Sequence, residues 1–517
     1  MEQNLPPSLA DDAGIEIADP GLDAALCYRA LMTRDARFDG RFFVGVTSTG
    51  IYCRPICPAP GAKFENCCFY PSAAAAAEAG FRPCLRCRPE TAPDTGAWLG
   101  TSNTVKRALA LIAEGALDGE ESSVETLAAR VGVGERHLRR LFDIHLGASP
   151  ISVAQTRRVH LAKQLIHETR LPMAEIALAA GFGSVRRFNE TFRKLYQRGP
   201  SQLRQKKSGE ATVASTAITV RLRYRPPYDW PSILAFFAAR AVPGLEEVSG
   251  GRYRRAIALG DHQGWIEIAH DGRHDSLVAA IHFPDLKALP AIIARIRRVF
   301  DLGADVEQIG AHLTRDPTLA PLIAERPGLR APGGWDGFEM AIRAILGQQV
   351  TIGAARNLAA KLIALCGREL PPTLRLGSLT HTFPTPADLG TADLSSLGMP
   401  GARRETLRHM ALAAAGDPDL FRAAGSIEET VARLRAIKGI GDWSAHYIAL
   451  RVVREPDAFP ASDIGILRGA TPAGGQRPSP QALLQQAEKW RPWRAYAAQH
   501  LWAADDGESN DAKRNAK

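Results

Sequence analysis

The sequence predicts a multidomain chain, mainly helical with α+β parts. Three observations predict this. The chain has 517 residues, enough for three or four cores at about 150 residues per domain. Seven of its eight cysteines lie before residue 90. The hydrophobic pattern also changes character along the chain. It is helical over 104–204, mixes β-branched alternation (TVRLRYR) with helical stretches over 219–300, and is helical again over 336–502.

These shifts place the boundaries. A disordered leader is expected over 1–20, a small cysteine-rich α/β domain over 21–90, and an all-α domain over 104–204. An α+β domain follows over 219–335, a second all-α domain over 336–505, and a disordered tail over 506–517. Thr91–Asn103 and Gln205–Ala217 are polar and read as linkers. A hydrophobic fraction of 45% and a charged fraction of 23% are ordinary for a globular protein. No apolar run approaches the roughly 20 residues a membrane span needs, and the acidic N-terminus lacks a signal pattern. A cytoplasmic protein without membrane contact is expected, as a monomer.

The net charge is +9 and is concentrated: between Arg130 and Glu210 there are 16 Lys+Arg against 6 Asp+Glu. Such a patch suits the phosphate backbone of nucleic acid, although a solvated surface has the same composition. The patch contains a weak repeat, Leu127–Phe142 and Ile176–Phe192. Gly132 and Gly181 lie 49 apart, and Phe142 and Phe192 lie 50 apart.

Cys53-Arg-Pro-Ile-Cys57 is followed by Cys84-Leu-Arg-Cys87. Two close cysteine pairs are the spacing of a tetrahedral four-cysteine site for one zinc ion, and by spacing alone a purely structural one. The surrounding GIYCRPIC and GFRPCLRC resemble the N-terminal domain of the Ada adaptive-response proteins. That resemblance implies a zinc-bound thiolate, here Cys53, that accepts a methyl group from a DNA methylphosphotriester. Four thiolates on a dication leave two net negative charges, and methylation removes one, which would relieve repulsion from DNA. Arg54, Arg82, Arg86 and Arg88 are candidate phosphate holders, and Cys27, Cys67 and Cys68 are expected to be packing residues.

The two repeats, with GFGSVRRFNETFRKLYQRGPSQLR in the second, resemble the paired helix-turn-helix of AraC-type regulators. The resemblance implies a reader of double-stranded promoter DNA with RNA polymerase as a partner. Candidate readers are Glu135, Arg136, His137, Arg139 and Arg140 in the first unit. In the second they are Ser184, Val185, Arg186, Arg187, Asn189 and Arg193. Leu138, Leu141, Phe142, Phe188 and Phe192 are expected on the buried face.

LRAIKGIGDWSAHYIALR (434–451) places a Gly-rich turn, with Gly439 and Gly441, before a helix start, and Asp463 follows. Glycines there let backbone N–H groups approach a phosphate. With Arg225–Glu246, GWDGFEMAIRAILGQQVTIGAARNLAAKL and RPWRAYAAQHLW, this resembles the AlkA-type 3-methyladenine glycosylases of the helix-hairpin-helix superfamily. The resemblance spans about residues 219–505. It implies hydrolysis of the N-glycosidic bond of an alkylated purine, with Asp463 as the catalytic carboxylate that also orients or activates water. Trp443, Tyr447, Trp502 and Phe236 would form the base pocket, with the Trp443 face stacked on the base. Trp443 stands where strand-nicking relatives carry lysine, so base removal without strand cleavage is expected. With Cys366 the only cysteine beyond residue 90, no iron–sulfur cluster is expected. Gln349 replaces an apolar wedge that enters the DNA, and Ala503 replaces a tyrosine, which would widen the pocket. The alternative reading is a transcriptional regulator whose glycosylase-like domain only binds DNA.

Overall fold

The computed structural model describes residues 23–92, 103–119, 122–204, 217–424, 426–472 and 474–515. The expected leader and most of both linkers lie outside them. The architecture is the expected one, helix-rich with two main sheets.

The first sheet has order β3-β1-β2-β4, formed by β1 (Phe43–Val46), β2 (Ile51–Cys53), β3 (Cys67–Tyr70) and β4 (Arg82–Pro83). β2 and β4 run parallel with Tyr52 opposite Pro83. This register sets Cys53 beside Cys84, whose N–H donates to the Tyr52 carbonyl at 3.0 Å. Chain segments 27 residues apart thus deliver both cysteine pairs to one end of the sheet.

The helices of 103–204 form two units joined by the long helix Pro150–Glu168. Each unit is a short helix, a tight turn and a reader helix: Val124–Arg130 with Glu135–Leu146, and Met173–Ala179 with Val185–Tyr196. The repeated glycines make both turns. Gly132 has φ +78° and Gly181 φ +88°, the left-handed region where a side chain is strained. Leu138, Phe142, Phe188 and Phe192 are fully buried, and Leu141 is half-buried.

The second sheet is antiparallel throughout, with order β5-β9-β8-β7-β6: β5 (Ile218–Arg223), β6 (Glu246–Ser249), β7 (Arg252–Leu259), β8 (His262–Asp271) and β9 (Ser276–His282). Its core is not private. Leu165 of the joining helix and Phe188 and Phe192 of the second reader unit belong to the same apolar cluster as Val220, Tyr253 and Ile266 of the sheet. Gln164 Nε2 bonds the Arg221 carbonyl at 2.8 Å. The modules that the linkers suggested were separate are therefore packed on one another. A third core, with Ile342, Leu434, Ile448, Ile466 and Leu501, holds the C-terminal helices together. The last helix, Arg494–Asn515, runs on through most of the segment expected to be disordered.

Candidate functional sites

The thiolate site is built at the sheet end. The sulfurs of Cys53, Cys57, Cys84 and Cys87 all lie within 4.8 Å of one another. Sulfurs about 2.3 Å from a tetrahedral zinc would lie about 3.8 Å apart, so the cluster fits one such ion. The backbone N–H of Arg54 donates to Cys87 Sγ, and that of Arg86 to Cys84 Sγ, each at 3.3 Å. Such bonds draw charge from those two sulfurs. Cys53 is the most exposed of the four, at 8%, and among the described hydrogen bonds no backbone N–H donates to its sulfur. It lines a cleft of about 670 Å³ with Met32, Arg34, Arg82 and Arg86.

Two of the expected phosphate holders are occupied otherwise. Arg54 is buried, with Nε bonded to Asp39 Oδ1 at 2.7 Å and Nη1 to the Cys87 carbonyl at 3.1 Å. Arg88 pairs with Glu90 at 3.0 Å. Their task is to shape the loops, which leaves Arg82 and Arg86 at the cleft. Cys27 and Cys67 sit in the apolar core, where burial pushes both thiols up to about 11. They stay protonated and are packing residues.

Sequence reasoning missed what lies behind the cluster. Lys163, from the helix joining the reader units, is fully buried. Its Nζ donates to the Cys84 carbonyl at 3.0 Å and to Glu90 Oε2 at 2.8 Å. Burial alone would raise the Glu90 carboxyl, but the attached Lys163 holds it below the usual range. Tyr52, next to Cys53, bonds His160 of the same helix at 2.8 Å. The thiolate loops are thus clamped to the helix that joins the two helix-turn-helix units. The signal was a lysine on an otherwise apolar helix face, beside Ala162 and Leu165.

On the reader helices Arg136, His137, Arg139, Arg140, Arg186, Arg187 and Arg193 are exposed, and Asn189 is half-buried. Two of these arginines lie along their own helices: Arg139 pairs with Glu135 at 2.5 Å and Arg186 with Glu190 at 2.8 Å. Ser184 caps the second reader helix, accepting from the Arg187 N–H at 3.2 Å, so that oxygen is already used.

The third site is a cavity of about 1470 Å³ between the second sheet and the C-terminal helices. Phe236, Trp443, Tyr447, Asp463, Trp502 and Gln349 all line it. Gly441 is on its wall and caps the helix Asp442–Ile448. Gly439 is not. It makes the hairpin turn at φ +94°, where a Cβ would collide with Thr406. Ala503 is buried and lies outside the lining. Gln349 sits exposed at the rim with φ +56°. Its neighbour Gln348 ties this loop to the hairpin through the Gly439 carbonyl at 3.3 Å and Ser444 Oγ at 3.0 Å.

Asp463 caps the helix Ile464–Gly469, and its oxygens are unequally used. Oδ1 accepts from Gly465 N at 2.9 Å, Ile466 N at 3.1 Å and Trp502 Nε1 at 2.8 Å. Among the described residues Oδ2 accepts from Trp443 Nε1 alone, at 2.6 Å. Oδ2 therefore keeps a lone pair for a reacting atom. A carboxylate so held is better suited to a fixed negative charge than to swinging out for a proton. Gly465 makes this possible, since a Cβ there would lie 3.0 Å from Trp502 Cδ1.

Trp443 has further contacts beside the face expected to meet the base. One face stacks on Tyr447, with centroids 5.2 Å apart and planes 13° off, and its edge serves Asp463. At most one face is left for a base. Arg451 was also missed. The helix widens to a π turn over Ala449–Val453, a distortion common at functional sites. This turn carries the buried Arg451 guanidinium to 4.8 Å from the Phe236 ring, 4.9 Å from Trp502 and 5.5 Å from Tyr447. Burial lowers it to about 10, so it remains charged.

Comparison with known proteins covers all three sites. Residues 26–90 match the metal binding domain of Ada, 127–206 a helix-turn-helix domain, and 219–336 the AlkA N-terminal domain. The chain is 40% identical over 486 residues to the "Probable bifunctional transcriptional activator/DNA repair enzyme AlkA" of Mycobacterium tuberculosis (strain ATCC 25618 / H37Rv), covering 93% of this chain and 96% of that one. The chain belongs to this family of AlkA-type bifunctional transcriptional activator/DNA repair enzymes. It is also 36% identical over 301 residues to DNA-3-methyladenine glycosylase 2 of Escherichia coli (strain K12), covering 56% of this chain and 99% of that one. The solved 3-methyladenine DNA-glycosylase from Archaeoglobus fulgidus shares the fold. Its TM-score is 0.50 at 22% identity, covering 55% of this chain and 98% of that one. The four-cysteine cluster in a family member with this metal-binding domain is a site for one zinc ion. No helix among the described residues is long and apolar enough to cross a membrane.

Proposed function

We propose that the chain excises alkylated purines from DNA, accepts methyl groups from DNA phosphotriesters on Cys53, and reads promoter DNA as a transcriptional activator. The observation that carries the first part is Asp463, fixed by four N–H donors on the wall of an aromatic cavity. A base turned out of the stack enters the cavity. An N-alkylated purine is cationic and leaves as a neutral molecule, taking the electron pair of its bond to C1′. The sugar is left positive, and the Asp463 charge stabilises it while water adds. No strong acid is needed, because the leaving group is already activated. Trp443 in the position of a nicking lysine has no amine to form a Schiff base, so the strand stays intact. Lesions of the 3-methyladenine type fit the activity in the name of the Escherichia coli relative.

In the thiolate site, Cys53 Sγ attacks the methyl carbon of a methylphosphotriester. The carbon–oxygen bond breaks, the phosphodiester anion leaves, and a thioether remains. Zinc supplies deprotonated sulfur at neutral pH. The loss of one negative charge beside Arg82 and Arg86 favours DNA, and Lys163 ties this site to the helix that joins the two reader units. Methylation then raises promoter affinity, and RNA polymerase is the partner an activator recruits. The protein works in the cytoplasm as a monomer. The test is methylated duplex DNA incubated with the full chain. Release of free 3-methyladenine with an alkali-labile but uncut strand is expected. A nicked strand without alkali, or no free base, contradicts the reading.

A further inference from the structure

Asp463 is not alone on its side of the cavity. Of the other acidic residues on the wall, Glu246 and Glu339 are buried in pairs with Arg255 and Arg343, and Asp442 is 60% exposed in its side chain. Asp505 differs from these. Gly465 lies between it and Asp463: a Cβ on that glycine would sit 3.2 Å from Asp463 Oδ1 and 3.4 Å from Asp505 Oδ2. Asp463 Oδ1 and Asp505 Oδ2 are therefore no farther apart than twice the longer distance. That is well inside the limit of roughly 9.5 Å over which paired carboxylates act on one glycosidic bond.

Their surroundings are opposite. Asp463 is held by donors from a helix end and two indoles. Among the described residues Asp505 accepts from Arg468 alone, Nε to Oδ1 at 2.7 Å and Nη2 to Oδ2 at 2.8 Å. The Arg468 side chain is 53% exposed and also lines the cavity. A guanidinium fork that grips a carboxylate bidentately grips a phosphate equally well.

We propose that Asp505 is the second carboxylate of base excision and that Arg468 gates it. DNA phosphate draws the guanidinium away, and the freed carboxylate takes a proton from the water that adds to C1′. The balance closes. The C1′–N bond breaks with its electron pair going to the base, the C1′–O bond forms, and one water proton moves to Asp505. This divides the work that one carboxylate would otherwise do. Asp463 holds the charge of the sugar, and Asp505 receives the proton.

The assignment rests on the excision reading, and the test separates the two. Single-turnover base release from methylated duplex DNA is measured for the full chain, beside its affinity for an abasic-site duplex. Asp505→Asn is expected to slow release by about a hundred-fold and to change affinity by less than about two-fold, as for a residue acting in the transition state. Asp505→Glu recovers part of the rate. Arg468→Ala weakens abasic-duplex binding and lowers its salt dependence by about one phosphate contact. Normal release by Asp505→Asn, or a loss of rate matched by an equal loss of affinity, overturns the assignment alone. Absence of release by the wild type overturns the excision reading, and this assignment with it.

Discussion

The thiolate cluster and the glycosylase cavity hold their proposed reactive atoms in opposite ways. In the cluster, Cys84 and Cys87 receive backbone N–H donors, and among the described residues the more exposed Cys53 receives none. Reactivity is left where the scaffold withholds its hydrogen bonds. In the cavity Asp463, the proposed catalytic carboxylate, collects four. A nucleophile must move its electrons onto carbon, so bonds to it are a hindrance. A carboxylate that stabilises charge must stay put, so bonds to it are an asset. One chain thus uses hydrogen bonds in both senses.

The contrast can be broken at several points, and the largest effect lies in the metal. Chelation should abolish methyl acceptance and unfold 21–90, since metal binding is folding free energy for so small a domain. Base release should continue, read on the same sample. Loss of both activities would show that the cavity depends on the cluster. Next, Lys163→Met leaves the buried Glu90 without its main partner, a loss of about 3 kcal/mol. It should lower the first thermal transition and speed zinc release, measured with a chromogenic chelator. Unchanged zinc retention would mean the clamp is not structural.

A smaller effect is expected at the indoles. Trp502→Phe keeps the ring in the cavity and removes one donor to Asp463. A hydrogen bond to a charged group contributes about 1.5–3 kcal/mol, so base release should slow by about ten- to a hundred-fold. Single-turnover kinetics decide it, and a rate equal to wild type would show that the ring, not the N–H, matters. Mild acid acts on stability and not on either chemistry. Burial draws His160 and His500 each down to about 4 from an ordinary 6.5. The unfolded chain takes up those protons first. Stability is therefore undiminished above about 6.5 and falls progressively as the pH drops towards 4. Urea midpoints at pH 7 and pH 5 should show the decline, and a higher midpoint at pH 5 would contradict the assignment.

How much of this was legible depended on distance along the chain. Cys53–Cys57 and Cys84–Cys87 announce themselves, because ligands from one turn must be three or four residues apart. Gly132 and Gly181 announce their turns, because only glycine is at ease at positive φ. The carboxylate and the cavity aromatics were legible only through resemblance. The indole bonds to Asp463 were not legible at all. They join residues 20 and 39 positions apart, and a tryptophan reads equally as a stacking face or as an edge donor. Burial patterns fared similarly. They identified Phe188 and Phe192 as core, but not that this core is shared with Val220 and Ile266 across a polar linker. Arg54 shows the same limit from the other side, since an arginine beside a DNA-directed site looks like a phosphate holder until Asp39 is found against it.

The central claim is that two chemistries sit in one chain at two separate sites. A crossed experiment tests it most directly. One duplex carries a labelled methylphosphotriester and methylated purines, and the full chain is assayed for protein-bound label and free base together. Asp463→Asn should lose base release and keep methyl uptake, and Cys53→Ser should do the reverse. If either variant loses both activities, or if neither loses its own, the assignment of the two sites is wrong.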